Sequence, residues 1–277
     1  VELSGKHAIV TGAASGIGRA LLAELAQRPM TIIAADRDEL GLQAALSSLV
    51  GSAQVHPFVG DLSSPETVDR LLAFAIQTMF TVDVFFANAG IAYYENFSAN
   101  PPDWGHIEQL FRLNVFSPLY TLQKMHALNP ERPFRVVVTA SAMAHMAYPG
   151  YALYGATKAA LHRFAESYRF EERKALILTY PIGTRTHFFE QAGEHTPLTF
   201  PLQSPEHVAR ALIRAVERDQ RAVYPSALFR LALFLDRFMP PVRWGIQQIA
   251  AWQFRTWRRQ RENGSRPTNA KPPRPKP

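Results

Sequence analysis

Residues 7–18 read His7-Ala8-Ile9-Val10-Thr11-Gly12-Ala13-Ala14-Ser15-Gly16-Ile17-Gly18. An apolar strand opens the stretch, and the helical pattern Ala20-Leu21-Leu22-Ala23-Glu24-Leu25 follows its last glycine. A second apolar strand, Thr31-Ile32-Ile33-Ala34-Ala35, ends on Asp36. Strand, glycine turn, helix, strand and acid in that order form the context a dinucleotide fingerprint needs. Gly12 allows the tight turn, Gly16 lets backbone approach a pyrophosphate, and Gly18 permits close helix packing. Ser15 and Ile17 sit between them at the helix start, where free N–H groups and the positive dipole end favour phosphate. Asp36 is placed to accept from the adenosine ribose hydroxyls and to repel a 2′-phosphate, which favours NAD. Arg37 pulls the other way: it could pair with that phosphate or stack on adenine, so NADP stays open.

The alternation continues outward. Residues 54–59 read as a third strand and lead into Gly60-Asp61-Leu62. Asp61 and Leu62 are candidates for the adenine side, although the Asp61 carboxylate could equally cap the next helix. Ser64 as N-cap with Pro65 at the first helical position opens that helix. Residues 82–86 form a fourth strand, ending in Ala87-Asn88-Ala89-Gly90, whose small side chains let a cofactor lie against backbone. A helical pattern spans 107–128 and carries Asn114, an amide that serves packing or a kink as readily as chemistry. A fifth strand, 135–139, precedes Ser141. The helix bearing Tyr154 and Lys158 runs to about residue 173, and 176–179 form a sixth strand. Strands alternating with helices argue for an α/β fold. Its sheet is doubly wound and mostly parallel, with helices on both faces and ligand at the strands' carboxyl ends.

Tyr154 and Lys158 stand four residues apart, on one helix face. A free phenol titrates near pH ~10 and is a poor base at neutrality. A cation within roughly 4–6 Å favours the phenolate by about 1–3 units. Such a tyrosine can exchange a proton with a substrate hydroxyl or carbonyl, and Ser141 at a strand end can hydrogen-bond the same oxygen.

Together these residues resemble the short-chain dehydrogenase/reductase family. The TGxxxGxG turn is Thr11 to Gly18, the NAG motif is Asn88-Ala89-Gly90, and Tyr-x-x-x-Lys is Tyr154 and Lys158. Ser141 precedes Tyr154 at the family's usual separation, and Asn114 falls where the family places its catalytic asparagine. The resemblance implies Tyr154 as general acid/base and Lys158 as the group that lowers its pKa and holds the nicotinamide ribose. Ser141 would orient the substrate oxygen, and Asn114 would support a water-linked proton relay. It implies hydride transfer between NAD, or NADP, and a secondary alcohol or ketone. It also implies a Rossmann-type sheet of seven strands, the last at 222–224, and a homodimer or homotetramer. After the sixth strand the family's Pro-Gly is replaced by Pro181-Ile182, with Gly183 displaced by one. Thr186 keeps its place. Pro181, Thr184 and Thr186 are the expected contacts on the nicotinamide side.

Composition bounds the rest. The 277 residues are 47% hydrophobic and contain no cysteine, which excludes disulfides and thiolate metal sites. Residues 1–220 carry a net charge of −3 and residues 221–277 one of +10, so the basic character lies in the C-terminal part. The first residues show no basic-then-apolar signal, no apolar run is long enough to span a bilayer, and a cytoplasmic location is expected. His187 and His195 match no metal spacing, and no metal is expected. The segment 187–201 reads as a lid. Its aromatics, with Tyr93, Tyr94, Phe97 and Tyr148, suggest an apolar substrate of steroid, retinoid or long-chain type.

Three parts are therefore expected: a catalytic domain over 1–225, a basic amphipathic helical extension over 226–261 and a disordered Pro/basic tail over 262–277. In the extension, aromatic and aliphatic residues alternate with arginines, a pattern that suits an interfacial helix on an anionic bilayer. Capping the cleft or packing on a second subunit are the alternatives. No nucleic-acid partner is expected. The rival functions are a cofactor-bound sensor or scaffold without turnover, and a membrane adaptor working through the C-terminal segment.

Overall fold

A computed structural model of the chain describes residues 2–172, 174–186, 188, 201–236 and 241–264. Seven strands form one sheet in the order β3-β2-β1-β4-β5-β6-β7, with every pairing parallel. They are β1 (His7–Thr11), β2 (Thr31–Asp36), β3 (Gln54–Val59), β4 (Val84–Ala87), β5 (Arg135–Thr139), β6 (Leu176–Thr179) and β7 (Ala222–Val223). The fourth strand starts two residues later than expected and takes in Ala87. Tyr224 falls outside the seventh.

Alternate strand residues point to opposite faces, and each face meets its own helices. Ala8, Val10, Ile32, Ala34, Phe86 and Val137 pack under α1 (Gly16–Ala26), α2 (Glu39–Ser47) and α7 (Pro205–Glu217). Ile9, Ile33, Phe85, Val136, Val138 and Leu178 pack under α3 (Pro65–Met79), α5 (Ser117–Leu128) and α6 (Ala152–Glu171). Capping side chains set the helix starts: Ser64 accepts from Thr67 N–H, Asp38 from Gly41 N–H and Ser204 from His207 N–H.

The helix expected over 107–128 is interrupted. α4 (Trp104–Phe111) passes through a π turn at Arg112–Phe116 before α5, and Asn114 sits in that turn. Such turns widen the helix locally and recur at functional sites. Two further helices, α8 (Ala227–Asp236) and α9 (Pro241–Gly264), pack on each other after β7. Among the described residues no helix is long and apolar enough to cross a membrane. His187, His195 and most of the expected lid lie outside the described residues, as does the tail from residue 265 on.

Candidate active site

The chain order reverses direction across the sheet between β1 and β4, and the loops leaving their carboxyl ends frame a crevice. Thr11 and Asn88 stitch it together. Thr11 Oγ1 accepts from the Asn88 and Ala89 N–H groups at 3.0 Å, and Asn88 Nδ2 donates to the Thr11 carbonyl at 3.2 Å. Thr139 Oγ1 donates to Asn88 Oδ1 at 3.1 Å, which ties in β5.

The glycine turn crosses beneath. Gly16 has φ +53, a left-handed conformation that disfavours a side chain, and a Cβ there would lie 2.9 Å from Thr186 Cγ2. The loop after β6 therefore closes directly over the turn. Thr184 pairs with Gln203 in a parallel bridge, Gly183 accepts from Gln203 N–H at 2.9 Å, and Thr184 Oγ1 donates to the Ile182 carbonyl at 3.0 Å. The displaced glycine thus serves to anchor the loop on 203. Pro181 accepts from Ala142 N–H at 2.9 Å, coupling this loop to the one that carries Ser141.

On α6, Tyr154 and Lys158 are 8% and 4% exposed. The Lys158 ammonium donates to the Thr139 carbonyl at 2.8 Å and lies 5.5 Å from the Tyr154 ring centre. Ser141 hydrogen-bonds the Tyr154 phenol, and its Oγ also accepts from Met143 N–H at 3.2 Å. Burial pushes the phenol up to about 12, with the Ser141 hydrogen bond pulling it back. Burial lowers Lys158 to about 7. The expectation that the lysine charge draws the phenol down is therefore opposed here by desolvation, which drives both groups toward their neutral forms.

That depressed lysine links stability to pH. Between about 7 and its ordinary 10.5 the unfolded chain binds the proton that the folded one has released. Stability from this group is thus present above 10.5, declines as pH falls and is lost below about 7. Urea midpoints of the protein without added nucleotide should rise through that window in the wild type, and the rise should shrink in Lys158→Met. Parallel curves for the two proteins would contradict this assignment.

Asn114 is 1% exposed, and its amide is fully engaged. Oδ1 accepts from Ile91 N–H at 3.0 Å, while Nδ2 donates to the Ile91 carbonyl at 2.8 Å and to Thr157 Oγ1 at 3.2 Å. The side chain clamps the loop after Gly90 to α6, one residue before Lys158.

A cavity of about 480 Å³ joins these parts. Gly12, Ser15, Gly16 and Ile17 line it together with Asn88, Ala89, Gly90, Ser141, Tyr154, Lys158, Pro181, Thr184 and Thr186. The remaining predicted residues lie off it. Gly18 packs helix to turn. Asp36 accepts from Ala14 and Asp38 N–H groups at 2.9 and 3.0 Å, Arg37 is exposed, and Asp61 accepts from Ser63 N–H at 2.9 Å as a turn residue. The Leu62 side chain is buried in the core.

The opposite wall holds Tyr148 and Phe188, both expected beside an apolar substrate, and adds methionines and leucines that the sequence reading does not single out. Met143, Met146, Tyr148 and Phe188 meet Leu228, Leu231, Ala232 and Leu235 of α8 across the cavity. The signal available was the 228, 231, 235 spacing, which marks one helix face. Behind it, Trp257 of α9 is 5% exposed and packs edge-on to Tyr94, with ring centres 4.7 Å apart. Tyr94 meets Tyr151 at 4.9 Å, and Tyr151 meets Tyr154 at 5.9 Å. α8 thus walls the cavity, while α9 packs behind it on Tyr94.

A family model described as short chain dehydrogenase matches residues 6–196. Epidermal retinol dehydrogenase 2 of Homo sapiens is 25% identical over 248 residues, covering 86% of this chain and 80% of its own. Estradiol 17-beta-dehydrogenase 11 of Rattus norvegicus is 28% identical over 250 residues, covering 86% and 81%. Among solved structures, a short chain dehydrogenase/reductase from Burkholderia phymatum in complex with NAD matches with TM-score 0.74. It is 21% identical and covers 87% of this chain and 96% of that one. A short-chain dehydrogenase from Sphingobium yanoikuyae in complex with NADPH matches at 0.72, with 19% identity over 98% and 100%. At such identities the structural likeness speaks to the fold.

Proposed function

The chain belongs to the short-chain dehydrogenase family, and we propose that it moves a hydride between NAD and a lipophilic secondary alcohol or ketone. The observation that carries this reading is the convergence of Ser141, Tyr154 and Lys158 on a cavity that the glycine turn also lines.

The residues fit a dinucleotide. Helix α1 has no acid in its first turn, so its free N–H groups meet an anion unopposed. Gly12, Ser15, Gly16 and Ile17 offer backbone to a pyrophosphate. A Cβ at Gly90 would lie 3.1 Å from Asn114 Oδ1 and 3.7 Å from Lys158 Nζ, so glycine keeps the ribose side open. On this reading Asp36 and Asp61 would meet the adenosine end beyond the cavity, with Leu62 as a backbone contact. Asp36 disfavours a 2′-phosphate and Arg37 would tolerate one. Pro181, Thr184 and Thr186 border the nicotinamide end with Asn88 and Ala89.

Nicotinamide supplies the hydride donor or acceptor when bound. Tyr154 Oη gives the proton to, or takes it from, the substrate oxygen, and Ser141 Oγ orients that oxygen. A phenol pushed up to about 12 is protonated at neutral pH, ready to act as an acid toward a ketone. Lys158, steadied by the Thr139 carbonyl, holds the ribose, and Asn114 fixes the loop beside it. Methionine, leucine and aromatic walls favour an apolar substrate. The same reading includes a homodimer or homotetramer in the cytoplasm, with α8 and α9 touching a membrane surface.

Purified protein given lipophilic and short water-soluble secondary alcohols should reduce NAD with both. Its kcat/KM should be about 10-fold or more higher for the lipophilic set, the scale expected from added methylenes in an apolar pocket. Nucleotide binding with no turnover across the set would favour the sensor or scaffold.

A further inference from the structure

We propose that the outer faces of α8 and α9 dock on an anionic lipid bilayer and take substrate from it into the cavity, a step that rests on the lipophilic-substrate reading above. Leu228 and Leu231 are 59% and 52% exposed, yet both line the cavity. The same side chains thus form its wall and part of the outer surface. A lipophilic molecule leaving a bilayer pressed against them enters without crossing water.

α9 supplies the grip. Its Phe254 and Trp257 turn toward Tyr94. Positions 249, 252, 255 and 259 share the opposite face at 3.6 residues per turn. They are Ile249 and Trp252, 61% and 62% exposed, with exposed Arg255 and Arg259. α8 repeats the pairing in exposed Arg230 beside Leu231. Large apolar side chains bracketed by arginines match a headgroup boundary. Charge selects its sign: residues 221–277 carry +10 against −3 for the rest, and each arginine near an anionic surface strengthens binding roughly fivefold.

Vesicle flotation tests this with the full chain. Vesicles of equal parts phosphatidylcholine and phosphatidylserine should bind at least about 10-fold more tightly than phosphatidylcholine alone. The double variants Ile249→Ser/Trp252→Ser and Arg255→Gln/Arg259→Gln should each weaken that binding about 10-fold or more, while turnover of a water-soluble ketone stays unchanged. With a long-chain alcohol supplied in the vesicles, both variants should show a raised KM at unchanged kcat. Equal flotation on neutral and anionic vesicles, or variants that float like the wild type, would overturn the proposal. So would an oligomer that Ile249→Ser/Trp252→Ser dissolves, since a second copy would then cover the face. Capture by a duplex oligonucleotide that depends on the arginines and not on Trp252 would overturn it as well. Flotation that persists while no ketone is turned over supports docking and overturns only the enzymatic reading.

Discussion

Tyr154→Phe is expected to lower kcat by about a thousandfold or more and to leave nucleotide affinity within a few fold of wild type. Positioned acid–base groups contribute roughly 10²–10⁴-fold, and here the substitution removes one oxygen and little else. The ring keeps its contacts with Tyr151 and with Phe188, whose ring centre lies 5.8 Å away, so the apolar packing survives. What disappears is the hydroxyl that Ser141 hydrogen-bonds. Single-turnover measurements at saturating nucleotide would separate this loss from any change in binding, and a fluorescence titration would report the affinity. A variant that retains a tenth of wild-type turnover would remove Tyr154 from the proton-transfer step.

Gly18→Ala is expected to cost the protein both its fold stability and its nucleotide site. A Cβ at position 18 would fall 1.9 Å from the Gly12 carbonyl oxygen, 2.6 Å from its carbon and 2.8 Å from Asn88 Nδ2. Two of those atoms are backbone of the turn itself, so no side-chain rotation relieves the overlap. Forced overpacking costs typically about 1–3 kcal/mol, and a clash with the Gly12 backbone across the glycine turn belongs at or above the upper end. Urea unfolding should show a loss of about 3 kcal/mol or more, and nucleotide affinity should fall by about two orders of magnitude. Gly245→Ala is the matched control, because nothing lies within 4 Å of a Cβ there. In a helix interior that change should be neutral or stabilising by up to about 1 kcal/mol. A soluble Gly18→Ala protein with wild-type midpoint and affinity would show that α1 can slide on the turn.

The local parts of this architecture are legible in the chain itself. Apolar runs, glycine spacing and the serine cap at 64 act over a few residues. The sheet follows from them because parallel crossovers leave few alternatives. The i, i+4 spacing of Tyr154 and Lys158 likewise dictates a shared face. Their electrostatics are another matter. Spacing reports the neighbour's charge but not the depth of burial, and burial is what raises the phenol and depresses the ammonium. Asn114 is similar: its place in the helix is readable, whereas its three bonds to Ile91 and Thr157 depend on a loop arriving from elsewhere. The C-terminal helices hid most. Leucines and tryptophans alternating with arginines look alike whether they face lipid, a cleft or a partner. Only the folded chain shows Trp257 turned toward Tyr94 and Trp252 turned away from the protein.

The order of synthesis adds a consequence to that last contact. Tyr154 emerges from the ribosome well before Trp257, and six of the seven strands have been translated before α7 begins. A nascent chain can therefore assemble the sheet and its glycine turn while the Trp257 end of the aromatic chain behind Tyr154 is still unmade. The Trp257 contact with Tyr94 is therefore the last link of that aromatic chain to form, after every strand of the sheet has been made.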